Sequence, residues 1–177
     1  WVHDKFEAVP YLRAIGDLGT GKSRFLQVVG SVACRPMMVG GATTSAPVFR
    51  LIDLVHGTFV MDEADFGKSD LWDELSKILT MGYSRGLTGL RAERNAKDGF
   101  DIMSYDTFGP KLLATRKRFK DDALESRCLT YTMPLLDPDE VKVPRNLGPE
   151  FRAQAQRLRN MLLLWRFRSY PRIKVGG

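Results

Sequence analysis

Apolar residues in this chain fall into short runs separated by glycine and charge, and the runs alternate with segments of helical spacing. Residues 11–15 are a short, mostly apolar run broken by Gly16. From Lys22 the apolar positions Phe25, Val28, Val29 and Val32 recur at helical spacing, which predicts strand, glycine loop and helix. A second short strand over 36–39 ends in Gly40-Gly41, and Thr43-Thr44-Ser45 then caps a helix bearing Val48, Leu51, Ile52 and Val55. After Gly57, residues 58–61 read as a strand buried on both faces. Leu71, Leu75, Ile78 and Leu79 mark a third helix that ends near Gly82. Units alternating in this way predict a parallel sheet with helices on both faces.

Residues 87–94 and 100–105 predict two further strands around 95–99, where Asp98-Gly99 is a hairpin turn signal, so an antiparallel insertion interrupts the parallel pattern. Residues 111–115 resume as a buried strand, 121–126 as one or two turns of helix, and 128–133 as another strand. Pro134, Pro138 and Pro144 mark a linker to a last helix over 150–170. On that helix Phe151, Ala155, Leu158, Leu162 and Trp165 form one stripe beside Arg152, Arg159 and Arg166, an amphipathic pattern that packs on something. The expected organisation is an α/β core over 1–134, a linker over 135–149 and a helical region over 150–177 that opens a lid or a following domain.

At 177 residues, 44% hydrophobic and 27% charged, the chain has the balance of about one soluble globular domain, which argues against disorder, collagen and a membrane span. Apolar stretches such as 161–165 are far short of the ~20 residues that cross a bilayer, and nothing at the N-terminus reads as a signal peptide. Cys34 and Cys128 are too few for a disulfide framework or a metal cage, so a reducing cytoplasm fits and each reads as a small buried hydrophobe. His3 and His56 are isolated and read as surface or capping residues. The first and last residues, Trp1 and Gly177, suggest a segment of something longer.

The net charge of +6 is unevenly spread. Residues 1–144 hold 19 basic and 20 acidic residues, whereas 145–177 hold 8 basic residues and Glu150 alone. Such asymmetry suggests a polyanionic partner, nucleic acid before membrane, or a solvated basic helix face. Within the near-neutral body, positive charge is local to 91–97 and 116–120.

Gly16-Asp17-Leu18-Gly19-Thr20-Gly21-Lys22-Ser23 fits the phosphate-loop pattern G-x-x-x-x-G-K-[ST], between a predicted strand and a predicted helix. Gly16, Gly19, Thr20 and Gly21 let backbone N–H groups turn toward phosphates at a helix N-terminus, Lys22 reaches the β- and γ-phosphates, and the Ser23 hydroxyl ligates Mg²⁺. Asp17, an acid beside phosphates, should point away. Further on, the strand over 58–61 ends in Asp62-Glu63. Alone, such a pair reads as a solvated cap. Joined to the loop, Asp62 holds Mg²⁺ through its water shell and Glu63 polarises the attacking water, which favours hydrolysis over simple nucleotide binding. No nucleophile, base and orienter set of a hydrolase triad is present.

At Leu124-Glu125-Ser126-Arg127-Cys128 the chain resembles the AAA+ ATPases, whose fold is a three-layer αβα P-loop core. Ser126-Arg127-Cys128 is similar to the arginine-finger motif of clamp-loader subunits. By that resemblance Arg127 stabilises phosphoryl charge in a neighbour's site, an effect of roughly 10³ to 10⁵ in rate, which implies a homo-oligomeric ring or partial ring. Read from the residues alone, the alternative is that Arg127 pairs with Asp121 or Asp122 on its own surface. The sensor residue that ends the preceding strand in these proteins falls on Thr115 or Arg116, with Thr115 preferred although the usual Asn is absent. Arg145, Arg152 and Arg159 are candidates for a second sensor.

Stretches at 43–53, 62–65, 82–90, 108–111, 125–128 and 158–168 resemble the helicase-like P-loop ATPase modules of phage, plasmid and archaeal replication proteins, which often sit beside primase-polymerase domains. The resemblance implies ATP and Mg²⁺ as cofactors, and DNA, single-stranded before duplex, as partner. It also implies a replicative helicase or translocase in the cytoplasm of a bacterial, archaeal or phage-infected cell. Nucleic-acid contacts are expected from Arg91, Arg94 and Lys97 on the hairpin and from Arg116, Lys117 and Arg118. A charged edge hairpin, with Glu93, Asp98 and Asp101, would read the same way without DNA. The alternatives are a loader- or initiator-like ATP switch on DNA or a partner protein, a non-catalytic oligomerisation module, and a small-molecule P-loop kinase.

Overall fold

The computed structural model describes residues 1–40, 45–62, 70–95, 99–135 and 146–175. In chain order the elements are β1 (Tyr11–Ile15), α1 (Lys22–Val32), β2 (Met37–Val39), α2 (Ser45–Val55), β3 (Phe59–Met61), α3 (Asp70–Met81), β4 (Thr88–Arg94), β5 (Phe100–Asp106), β6 (Lys111–Thr115), α4 (Asp122–Glu125), β7 (Cys128–Thr132) and α5 (Pro149–Ser169). The expected cap at Thr43-Thr44 and most of the proline linker lie outside the described residues.

Five strands form one parallel sheet in the order β2-β3-β6-β1-β7. The order follows from burial. β3 and β6 are buried along their whole length, so they take central places, while β7, mostly exposed, takes an edge. Alternation along the strands then divides the core in two. Val60, Leu112 and Ala114 meet Leu26 of α1 on one face. Met37, Phe59, Met61, Leu113 and Tyr11 meet Val48, Phe49 and Ile52 of α2, Leu75, Ile78 and Leu79 of α3, and Leu124 of α4 on the other. This is an α/β sandwich with helices on both faces.

β4 and β5 pair only with each other, from Thr88 opposite Asp106 to Arg94 opposite Phe100. The hairpin therefore stands apart from the parallel sheet and leans on α2 and α3. Gly89 permits this approach, because a methyl group there would come within 2.7 Å of the Phe49 ring. α5 packs on α1 and buries Ala155 of the predicted stripe, while Leu158 and Trp165 stay nearly half exposed.

Candidate functional site

Parallel strands send every βα connection to the same edge, so chemistry carried on those connections collects at the carboxyl ends of the strands. The chain between β1 and α1 leaves the sheet at Gly16, whose N–H donates to the Thr115 carbonyl of the neighbouring strand (3.2 Å). A side chain at Gly16 would meet the Thr20 hydroxyl at 2.8 Å and Met133 at 3.2 Å. Gly19 and Gly21 hold φ of +80° and +86°, which side-chain-bearing residues rarely adopt, and Gly21 is the residue from which α1 starts. Thr20 closes the loop by donating to the Asp17 carbonyl at 2.9 Å. The Lys22 Nζ folds back over the loop and donates to the carbonyls of Gly16 (2.7 Å) and Asp17 (2.6 Å). An ammonium, a helix N-terminus and a curved run of backbone thus face one point.

That point is a cleft of about 270 Å³ lined by Leu18, Gly19, Gly21, Lys22, Ser23, Arg24, Asp62 and Arg116. Asp17 is exposed and is not in the lining, as the loop chemistry requires. Asp62 arrives from the end of β3. Since β6 lies between β1 and β3, Arg116 arrives from just past the end of β6 between the loop and the acid. Thr115, the preferred sensor, is fully buried, does not line the cleft, and its Oγ1 has no hydrogen-bond partner among the described residues. The cause is strand alternation: Thr115 shares the parity of Leu113, which packs on the face away from α1, so the cleft receives Arg116 instead. Glu63 lies outside the described residues. Among the described residues no three His, Cys, Asp or Glu gather as a metal cage, and the oxygen donors in the cleft are the Ser23 hydroxyl and the Asp62 carboxylate. This set fits a Mg²⁺ shared with phosphate oxygens better than a metal held by protein alone.

Arg127 sits at the opposite, amino edge of the sheet. Its carbonyl accepts from the Tyr11 N–H (2.9 Å), and its guanidinium stacks on Tyr83 at 5.5 Å. The length of β1, about 13 Å at ~3.3 Å per residue, separates it from the glycine loop of its own chain. Among the described residues it makes no ion pair with Asp121 or Asp122. Asp121 instead caps α4 through the N–H groups of Ala123 and Leu124. Glu125, part of the same motif, reaches into the sheet to Arg13, fully buried on β1, with N–O distances of 2.6 and 2.5 Å. Arg13 also donates to the Thr130 hydroxyl and lies over the Phe119 ring. That guanidinium holds the Glu125 carboxyl below the usual carboxylate range.

The expected nucleic-acid residues separate by face. Arg91 turns toward the body, where it pairs with Glu74 (3.2 Å) and lies over Phe49, so it braces the hairpin rather than decorating its tip. Glu93 turns the same way and bonds Arg50 and the Tyr105 hydroxyl. Arg94, Leu90, Phe100 and Ile102 are exposed on the outward face. Lys97 lies outside the described residues. Lys117 and Arg118 are exposed beyond β6, with Arg118 3.9 Å from Glu125. Of the second-sensor candidates, Arg145 lies outside the described residues and Arg152 is exposed on α5. Arg159 lines a cleft on the amino edge, away from the glycine loop between β1 and α1.

Arg24 in the cleft at the carboxyl edge and the buried pair of Arg13 with Glu125 escaped the sequence reading. Arg24 stands one residue past the motif and was readable from it, since the first turn of a helix that starts at the loop must flank whatever the loop binds. The Arg13 pair joins residues 112 positions apart and left no local sign. Comparison with protein-family models gives no match, and comparison with curated proteins gives none either. Among the described residues no helix is long and apolar enough to cross a membrane.

Proposed function

We propose that this chain is an ATP-hydrolysing P-loop ATPase of the AAA+ type that does its work on DNA, as a helicase or translocase module of replication. The observation that carries the reading is convergence: the loop around Lys22, the Ser23 hydroxyl, the Asp62 carboxylate and Arg116 come from three strand ends to one cleft at the carboxyl edge. Lys22 would give up the Gly16 and Asp17 carbonyls for β- and γ-phosphate oxygens. Ser23 and Asp62 would hold Mg²⁺, which when bound neutralises phosphate charge. Glu63, beside Asp62 in sequence, would orient and polarise the attacking water, and Arg116 and Arg24 would add positive charge at the phosphates.

The distance of Arg127 from its own loop fits an arginine that serves a neighbouring subunit. The outward hairpin face supports the DNA part of the reading, because Arg94 lies opposite Phe100 in register and both are exposed, a cation beside a ring on which a base can stack. The test is ATP hydrolysis with and without a single-stranded oligonucleotide, together with strand displacement. The reading expects stimulation by the single strand and displacement. An oligomer that hydrolyses at a DNA-independent rate and displaces nothing overturns the helicase assignment, and tight ATP-dependent duplex binding without displacement assigns a loader or initiator instead.

A further inference from the structure

At the amino edge, away from the phosphate loop, α5 and the turns leading into β2 and β3 enclose a second cleft of about 680 Å³. Arg35 and His56 line it from the turns, Arg159, Arg166 and Phe167 from α5, with His3 and Trp1 beside them. The acid in this lining is Asp4, and Arg166 neutralises it at 2.5 and 2.8 Å. Arg35 and Arg159 have no carboxylate partner among the described residues. They donate instead to the Val55 carbonyl (3.3 Å) and to Gln156. Among the described residues, these two cations thus line the cavity without an ion pair, as does the Phe167 ring, which is 69% exposed.

The backbone singles out the same wall. Arg35 and His56 both hold φ of +46°, and they are the positive-φ residues other than glycine in the described chain. Left-handed backbone is uncommon at residues that carry a side chain, and His56 takes it where α2 ends, its N–H donating to the Ile52 carbonyl at 3.0 Å. The glycine of this region stands at 57. A methyl group there would fall 2.1 Å from the Arg35 carbonyl oxygen, so Gly57 lets the two turns interlock. The Thr58 N–H then donates to the Cys34 carbonyl at 2.9 Å. The turns are thus held in a shape that keeps Arg35 and His56 on the wall of the cleft. His3 adds a buried Nδ1 without a partner among the described residues.

We propose that this cleft binds a nucleoside phosphate, with the phosphate at Arg35 and Arg159 and the base against Phe167. Its volume suits a nucleotide-sized ligand. The unit is either one nucleotide of a single strand or a free nucleotide, and neither requires hydrolysis at the phosphate loop. The test uses the full chain carrying Lys22→Ala, which silences the loop, and titrates it with fluorescein-labelled dT20 and, separately, with AMP. Arg159→Glu and Phe167→Ala are then added singly, and thermal unfolding monitors the fold. The expected result is a loss of about tenfold or more in affinity for one probe with both variants. Loss with dT20 assigns a strand, and loss with AMP a free nucleotide. Unchanged affinity for both probes, or no binding of either by the Lys22→Ala chain, overturns the proposal.

Discussion

Arg13 and Lys111 lie inside strands that read as apolar, and both are buried, at 0% and 2% exposure. Arg13 survives there because Glu125 and Thr130 take its N–H groups. Removing the acid strands a buried cation, so Glu125→Ala should cost roughly 3–5 kcal/mol, read as a lowered urea midpoint. Lys111 donates to the carbonyls of Gly82 (3.2 Å), Thr107 (2.9 Å) and Gly109 (3.1 Å), one for each N–H of an ammonium. Burial pushes its pKa down to about 7 from 10.5. The unfolded chain keeps that proton up to its ordinary pKa and the folded chain loses it near 7, so between these values the unfolded state binds more protons and stability rises with pH. Lys111→Met should flatten that rise and cost about 2–4 kcal/mol through carbonyls left without a donor. Unfolding curves at pH 7, 8 and 9 check both. The glycine loop between β1 and α1 was legible because its residues are consecutive and each glycine answers a local backbone demand. Arg13 and Lys111 were not, because the groups that make their burial tolerable come from distant segments.

The strands and helices were legible to within a residue or two, since alternation and helical spacing are local consequences of which face is buried. The faces of the hairpin were not. Alternation puts Arg91 and Arg94 on opposite faces, but only the packing decides which face is inward, and it turns Arg91 onto Phe49 and Glu74 and leaves Arg94 outside. Gly89 sets the hairpin on α2, so Gly89→Val, pushed against the Phe49 ring, should lift it. The expected cost is about 1–3 kcal/mol of overpacking. Limited proteolysis should then cut within 88–106 in the variant under conditions that spare the wild type. On α5 the apolar stripe was readable, but only contact with α1 decides which part is covered, and Leu158 and Trp165 are left about half exposed.

Across the whole molecule, the strand order separates two charged centres, the loop, Asp62 and Arg116 at the carboxyl edge and Arg127 at the amino edge. On the proposed function, an arginine so far from its own loop would serve hydrolysis between chains. Lys22→Ala should lower turnover by about 10² or more and Arg127→Ala by about 10³ or more. Mixing the two variants should restore a measurable fraction of the wild-type rate, because some interfaces then join an intact loop to an intact arginine. No recovery on mixing would mean that Arg127 does not act across subunits. No periodicity reveals which edge a residue occupies, whereas the parallel order fixes it once the strands are placed.

The most direct measurement of the central claim is phosphate release from ATP and Mg²⁺ by the purified chain and by its Lys22→Ala variant, with thermal unfolding showing both folded. The cleft at the carboxyl edge predicts steady turnover by the wild type and a loss of at least about a hundredfold in the variant. Equal rates in the two chains, or no release by the wild type with or without single-stranded DNA, would contradict it.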